Sequence, residues 1–162
     1  MQSQVAGRQW RWLWLSVVLI ALDQWSKSLV ERRFALYETL TVLPVFNVTR
    51  AHNRGVSFSM FNSESGWQRW VFGALAGGVA VAIVFWLRTL PRRAWLQAIA
   101  LALIFAGAVG NMIDRLRLGY VIDFVQVHWG EHYFPAFNVA DSSICVGAAL
   151  ILVEGFFSRR NA

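Results

Sequence analysis

The chain has 162 residues, of which 57% are hydrophobic and 15% charged, against roughly 45–50% and 25% in soluble domains. That is the length of one domain carrying more apolar surface than one soluble globule hides, which excludes both an ordinary soluble enzyme and a disordered chain. A formal net charge of +6 would fit nucleic acid in a soluble protein, but all but one of the 15 basic residues are Arg, and many stand at the ends of apolar runs, as orienting charges do in membrane proteins.

In chain order, the first apolar run is Trp12–Leu22, which then meets Asp23 and Lys27. Arg8 and Arg11 precede it as in a secretory signal, but no small-x-small cleavage site follows, so it reads as an uncleaved first span. Thr39–Thr49 is rich in β-branched residues, and Val56, Phe58 and Met60 alternate with Ser57 and Ser59, which is strand periodicity. Asn53-Arg54-Gly55 between them predicts a turn. Trp70–Leu87 is charge-free for 18 residues and Ala94–Ile113 for 20, about 27 and 30 Å as helices. Ser142–Val153 is charge-free between Asp141 and Glu154.

The predicted fold is a single membrane-embedded unit over 1–162, mainly α, with four transmembrane helices at about 11–29, 67–87, 94–113 and 137–157. Outer loops cover about 30–66 and 114–136 and hold a small extracytoplasmic β-sheet and an extracytoplasmic loop or helix. Arg8 and Arg11, the link with Arg88, Arg92 and Arg93, and the tail with Arg159 and Arg160 carry basic charge without acidic residues. The positive-inside rule then puts both termini in the cytoplasm and the two long loops outside. The lone cysteine, Cys145, excludes an internal disulfide; its apolar surroundings predict helix packing, not a nucleophile.

Ionisable groups inside a bilayer are expensive and mark function by default. Asp23 and Lys27 are spaced i,i+4 with the acid first, the order that favours an ion pair on one face; the spacing fits a structural pair and an active-site role alike. Asn111, Asp114 and Arg115 share a helix face at i, i+3 and i+4, which also suits plain helix capping. Asp123 sits in an apolar setting, and Asp141 follows Asn138 by three residues. Two carboxylates at one depth can share a proton, one activating water while the other protonates a scissile carbonyl. Alternatively, each Asp pairs with Arg115 or Arg117. His128-Trp129-Gly130-Glu131-His132 formally matches a zinc-peptidase pattern, but Gly130 weakens any helix there and a third ligand is lacking, so no metal site is predicted.

These motifs together resemble the bacterial lipoprotein signal peptidases, also called signal peptidase II. The resemblance runs nearly the whole length in order. It is carried by Leu22-Asp23-Gln24 with Lys27, Asn53-Arg54-Gly55 with Ser57-Phe58-Ser59, Gly110-Asn111-Met112-Ile113-Asp114-Arg115, Val121-Ile122-Asp123-Phe124, and Phe137-Asn138-Val139-Ala140-Asp141-Ser142. It implies an inner-membrane aspartic endopeptidase, without a cofactor, that removes the signal peptide from diacylglyceryl-modified prolipoproteins by cutting before the lipidated Cys. By the same resemblance, Asp123 and Asp141 are the catalytic dyad. Asn53, Asn111, Arg115 and Asn138 line the substrate site, supported by Asp23, Lys27, Asp114 and Gly55. The implied partners are prolipoprotein precursors, membrane lipids and globomycin-type cyclic peptide inhibitors, and not nucleic acid. Val56-Ser57 stands where the family commonly has smaller residues. A transporter or proton channel would carry polar residues through the full depth of its spans, and spans two and three are apolar until Asn111. A scaffold protein would not need paired carboxylates beside Asn and Arg.

Overall fold

The computed structural model describes residues 9–55 and 67–160. A short 3-10 turn, Gln9–Trp12, leads into helix α1 (Leu13–Arg33). Strands β1 (Thr39–Leu43) and β2 (Phe46–Asn53) follow, then helices α2 (Trp67–Thr89) and α3 (Trp95–Leu118). Strands β3 (Val121–Trp129) and β4 (His132–Tyr133) precede helix α4 (Val139–Arg160). The four helices are each long and apolar enough to cross a membrane.

Helix α3 is the central post, packing on α1, α2 and α4. Its sequence explains the position. Ala98, Ala100, Ala102, Ala106, Gly107, Ala108 and Gly110 are all buried, and small residues let helix backbones approach closely where lipid offers no hydrophobic drive for association. The other spans turn large apolar side chains outward instead: Trp14, Val17 and Val18 on α1, Leu75, Val81 and Phe85 on α2, Leu152 and Phe156 on α4. Such exposure would be costly in water and is ordinary against lipid. A compact apolar core of Ile83, Leu87, Leu90, Ala98 and Leu101 closes the end of the bundle where α2 turns into α3.

The opposite end carries a four-stranded antiparallel sheet in the order β1-β2-β3-β4. Ala51 pairs with Asp123 and Asn53 with Val121. Arg50 anchors the sheet to the bundle: its guanidinium donates to the carbonyls of Glu31 and Phe34 at the end of α1, at 3.2 and 3.1 Å, and pairs with the Glu31 carboxylate at 3.4 Å.

Several expectations change here. The β-branched run Thr39–Thr49 holds β1 and the start of β2, a hairpin that turns at Pro44-Val45 because Pro cannot donate to a ladder. The alternating residues Val56 to Met60 lie outside the described residues. The second outer segment, about 114–136, holds more regular structure than expected: α3 runs on to Leu118, and β3 and β4 add two strands to the sheet. The first span begins as a 3-10 turn at Gln9 and its helix reaches Arg33. Cys145 is exposed on α4 rather than packed between helices.

Candidate active site

The site lies where the sheet meets the bundle. Asp23 and Lys27 come from α1, Asn111, Asp114 and Arg115 from the last turns of α3, Asn53 from the end of β2, Asp123 from β3, and Asn138 and Asp141 from the start of α4. Asp23, Lys27, Asn111, Asp114, Asp123 and Asn138 are buried, and Asp141 is half-buried.

Four carboxylates meet here, and they fall into two pairs. Lys27 takes one pair: its Nζ lies 2.8 Å from Asp23 and 2.9 Å from Asp114. Gln24 ties the same pair together, donating to Asp114 at 2.8 Å and to Asp23 at 3.2 Å. Asp123 and Asp141 form the other pair. Among the described residues neither has an ion-pair partner, so the pairing with Arg115 or Arg117 that spacing allowed is not found. They are held by amides instead.

Asn138 is the hub. Its Nδ2 donates to Asp123 Oδ1 at 2.7 Å, and its Oδ1 accepts from the Asp141 backbone N–H at 2.9 Å. Asp141 Oδ2 in turn accepts from the Asn138 backbone N–H at 3.2 Å. This reciprocal pattern is a capping box at the start of α4, with Asn138 as N-cap and Asp141 three residues on. It fixes both the helix start and the Asp141 carboxylate. Asp23 completes the cap by accepting from the Ala140 N–H at 2.9 Å.

Asn111 links the two carboxylate pairs. Its Oδ1 accepts from Lys27 Nζ at 3.1 Å and from Asn138 Nδ2 at 3.2 Å, while its Nδ2 donates to Asp141 Oδ1 at 2.7 Å. Lys27 can only donate, so it holds the oxygen of the Asn111 amide toward itself and thereby aims the nitrogen at Asp141. The Asp23–Lys27 pair, ambiguous by spacing, thus reaches Asp141 through one intervening side chain. Helix α1 comes close enough because residue 110 is Gly: a Cβ there would meet Asp23 Oδ2 at 2.8 Å.

The third approach is from the sheet. Asn53 Nδ2 donates to Asp123 Oδ2 at 3.0 Å, and its Oδ1 accepts from the Gly55 N–H at 2.8 Å. Gly55 adopts a φ of +84° and packs so closely on Phe72 that a Cβ would overlap the ring, so the position demands glycine. Arg115 lies over the other participant in that contact, its guanidinium 5.5 Å from the Phe72 ring. One guanidinium nitrogen donates to the Asn111 carbonyl at 3.3 Å, and Nε is buried with no partner among the described residues.

Burial pushes the Asp123 carboxyl up from the usual 3.8 to about 6; hydrogen bonds from Asn53 and Asn138 oppose the rise, and the charge of Asp141 adds to it. The histidines do not gather. His128 and His132 sit on a hairpin, His128 opposite Tyr133 and stacked on it at 4.9 Å, while His52 stacks on Tyr120 at 3.7 Å. The zinc-peptidase pattern needs both His on one helical turn, and this segment is a hairpin.

A family model described as signal peptidase (SPase) II matches residues 15–157. The chain belongs to the signal peptidase II family. The lipoprotein signal peptidase of Teredinibacter turnerae is 45% identical over 152 residues, covering 94% of this chain and 90% of that protein. The lipoprotein signal peptidase of Acinetobacter baumannii strain ATCC 17978 is 47% identical over 146 residues, with 90% and 83% covered. A solved bacterial membrane enzyme superposes with a TM-score of 0.80 at 26% identity, covering 93% of this chain and 90% of that one. This signal peptidase II is therefore a multi-pass membrane peptidase, a hydrolase of lipoprotein processing. Gln24 is the residue of the site that sequence reasoning left unassigned, although it stood inside the first quoted motif. A carboxamide next to an intramembrane Asp was the available signal.

Proposed function

We propose that the protein is an aspartic endopeptidase that cuts diacylglyceryl-modified prolipoproteins just before the lipidated Cys, with Asp123 and Asp141 as its catalytic dyad. The observation that carries this reading is the sorting of the carboxylates. Lys27 is ion-paired with both Asp23 and Asp114, whereas Asp123 and Asp141 are steered by neutral amides and have no ion-pair partner among the described residues. A structural carboxylate wants the ion pair; a pair that must exchange a proton does not.

Asp123 carries the shared proton, and Asp141 is the base. Asp141 takes a proton from water as the water oxygen attacks the scissile carbonyl carbon, and Asp123 donates its proton to the carbonyl oxygen. The tetrahedral diol collapses as Asp141 returns a proton to the leaving amide nitrogen, the C–N bond breaks, and Asp123 recovers its proton from the diol. Asn111 and Asn138 act as positioning residues, since their amides are engaged with the dyad itself. Asn53 and Arg115, on the open side of Asp123, take the substrate backbone, and Gly55 shapes the turn that presents Asn53. The positive-inside pattern supports a cytoplasmic position for the basic ends near Arg11 and Arg92; the dyad, at the other end of the bundle, then lies at the outer face of the inner membrane, where a lipid-anchored cleavage point lies. A globomycin-type cyclic peptide would occupy the same site.

Incubating the purified protein with a lipidated precursor peptide tests the assignment. Release of the signal peptide by a cut before the modified Cys, unaffected by EDTA, supports it; cleavage that stops on chelation and returns with zinc overturns it.

Two predictions arise from the geometry. The reaction needs one proton on the dyad, so kcat/KM should fall as pH rises above about 6, tenfold per unit, when Asp123 loses it; a profile flat from pH 5 to 8 would contradict the shared proton. Arg115→Lys keeps the charge but removes the planar fork. It should lower kcat/KM by about 5- to 150-fold, the loss of one donor to a buried carbonyl, with thermal stability reduced only by the lost contacts to Phe72 and the Asn111 carbonyl, about 1 kcal/mol; normal kinetics would remove Arg115 from the substrate site.

A further inference from the structure

We propose that the end of the bundle opposite the sheet holds a specific site for the headgroup of a net-anionic phospholipid, in a cavity lined by Gln9, Trp10, Arg11 and Arg92. Its volume is about 490 Å³, within the ~300–1,000 Å³ range of ligand pockets. Two chain segments build it, and Gln9 locks them together. The Gln9 side chain is 1% exposed; its amide nitrogen donates to the carbonyls of Pro91 and Arg92 at 3.0 and 2.8 Å, and its oxygen accepts from Trp12 Nε1 at 3.1 Å. The 3-10 turn is thereby pinned to the link between α2 and α3. Arg11 from the turn and Arg92 from the link are held at one cavity rather than spread over a mobile surface.

The charge is unbalanced. Among the described residues no acidic side chain lines the cavity and neither Arg11 nor Arg92 has a carboxylate partner, and neither 9–12 nor 88–95 contains an acidic residue. Two guanidiniums at one cavity present planar donors matched to phosphate oxygens. The depth is that of the membrane interface, since the turn and link cap apolar spans and exposed Trp10 and Trp95 flank them, as interfacial aromatics do. A phosphodiester at that depth is a lipid headgroup, and a basic pocket between helix ends favours an anionic one. The inference rests on the membrane-spanning fold and not on the dyad.

The test uses full-length protein stripped of lipid in neutral detergent, with phosphatidylglycerol, phosphatidylcholine of the same chains, or inorganic phosphate added. Native mass spectrometry and thermal unfolding read binding. Wild type should retain phosphatidylglycerol over phosphatidylcholine. Arg11→Gln and Arg92→Gln should each weaken retention about fivefold and the double variant about 25-fold. Arg93→Gln, an exposed guanidinium outside the cavity, should change nothing. All variants should still cleave precursor peptide in detergent, which shows them folded. Should the double variant fail to fold, the two single variants carry the test. The proposal fails if the Arg11 and Arg92 variants retain the lipid as wild type does, if phosphatidylcholine is held equally, if Arg93→Gln loses as much, or if millimolar phosphate alone gives the whole thermal shift.

Discussion

Asp123→Asn is expected to gain thermal stability at pH 8 and, assayed below pH 6 where wild-type Asp123 holds its proton, to lose roughly 10²–10⁴-fold in cleavage rate, the scale of one general acid–base group. The two changes share a cause. Folding lifts the Asp123 pKa from 3.8 to about 6, so the folded chain holds that proton more tightly than the unfolded one. The stabilisation from the proton is whole below pH 3.8 and is lost as pH rises through about 6. Above that, the ionised Asp123 weighs on the fold by up to about 3 kcal/mol. Asn never ionises. It gives back about 1 kcal/mol, because Asn53 and Asn138 both donate to this side chain and the new amide has one accepting oxygen. The net gain is about 2 kcal/mol at pH 8, shrinking through pH 6 and gone by pH 4. Thermal unfolding of both proteins across that range reads it. An equal difference at pH 4 and pH 8 would mean that burial does not oppose the charge.

Lys27→Met should be the most destabilising substitution in the site, by about 3–5 kcal/mol, because it leaves buried charge uncompensated. Lys27 is 2% exposed and serves both Asp23 and Asp114, so removing Asp23 as well does not repair the loss: Asp114 is still stranded. Only Lys27→Met with both Asp23→Asn and Asp114→Asn clears the charge, and that triple variant should recover most of the stability. Activity should not return with it. Without Lys27, only the 3.2 Å bond from Asn138 Nδ2 holds the Asn111 oxygen away from Asp141, and the donor aimed at that carboxylate is freer to turn. Recovery of both in the triple variant would reduce the Lys27 cluster to a structural support; recovery of neither would show that the three side chains are not one network.

The second and third spans were legible because a charge-free run of about 20 residues has few uses other than crossing a bilayer, and the shorter runs Trp12–Leu22 and Ser142–Val153 were legible by their strongly apolar cores and aromatic flanks. The site residues were legible as polar groups that a membrane segment has no reason to keep, sharpened by five motifs in register. Their partners were not. The i,i+4 spacing of Asp23 and Lys27 predicted their contact, but the second carboxylate on Lys27 comes from 87 residues further on, which no local spacing reveals. Asn138 and Asp141 stand at i and i+3, and Asn-x-x-Asp ahead of an apolar run carries the signal of the capping box they form. Strand β3 was missed for a different reason. Val121–Val127 is apolar except for Asp123 and Gln126, so it lacks the alternation that marks a half-buried strand. It earns its place by pairing with β2 on one side and β4 on the other.

The central claim is that two carboxylates, and no other group, perform the hydrolysis. Purified Asp141→Asn in detergent, given a diacylglyceryl-modified precursor peptide and followed by mass spectrometry, tests it most directly. Asn at 141 keeps one accepting oxygen for the helix cap and gives up the one that Asn111 donates to, so the variant should unfold within about 1 kcal/mol of wild type and still bind the peptide. The account predicts that the intact precursor persists, with cleavage down by at least about 10²-fold. Release of the signal peptide at a rate within a few-fold of wild type would contradict it.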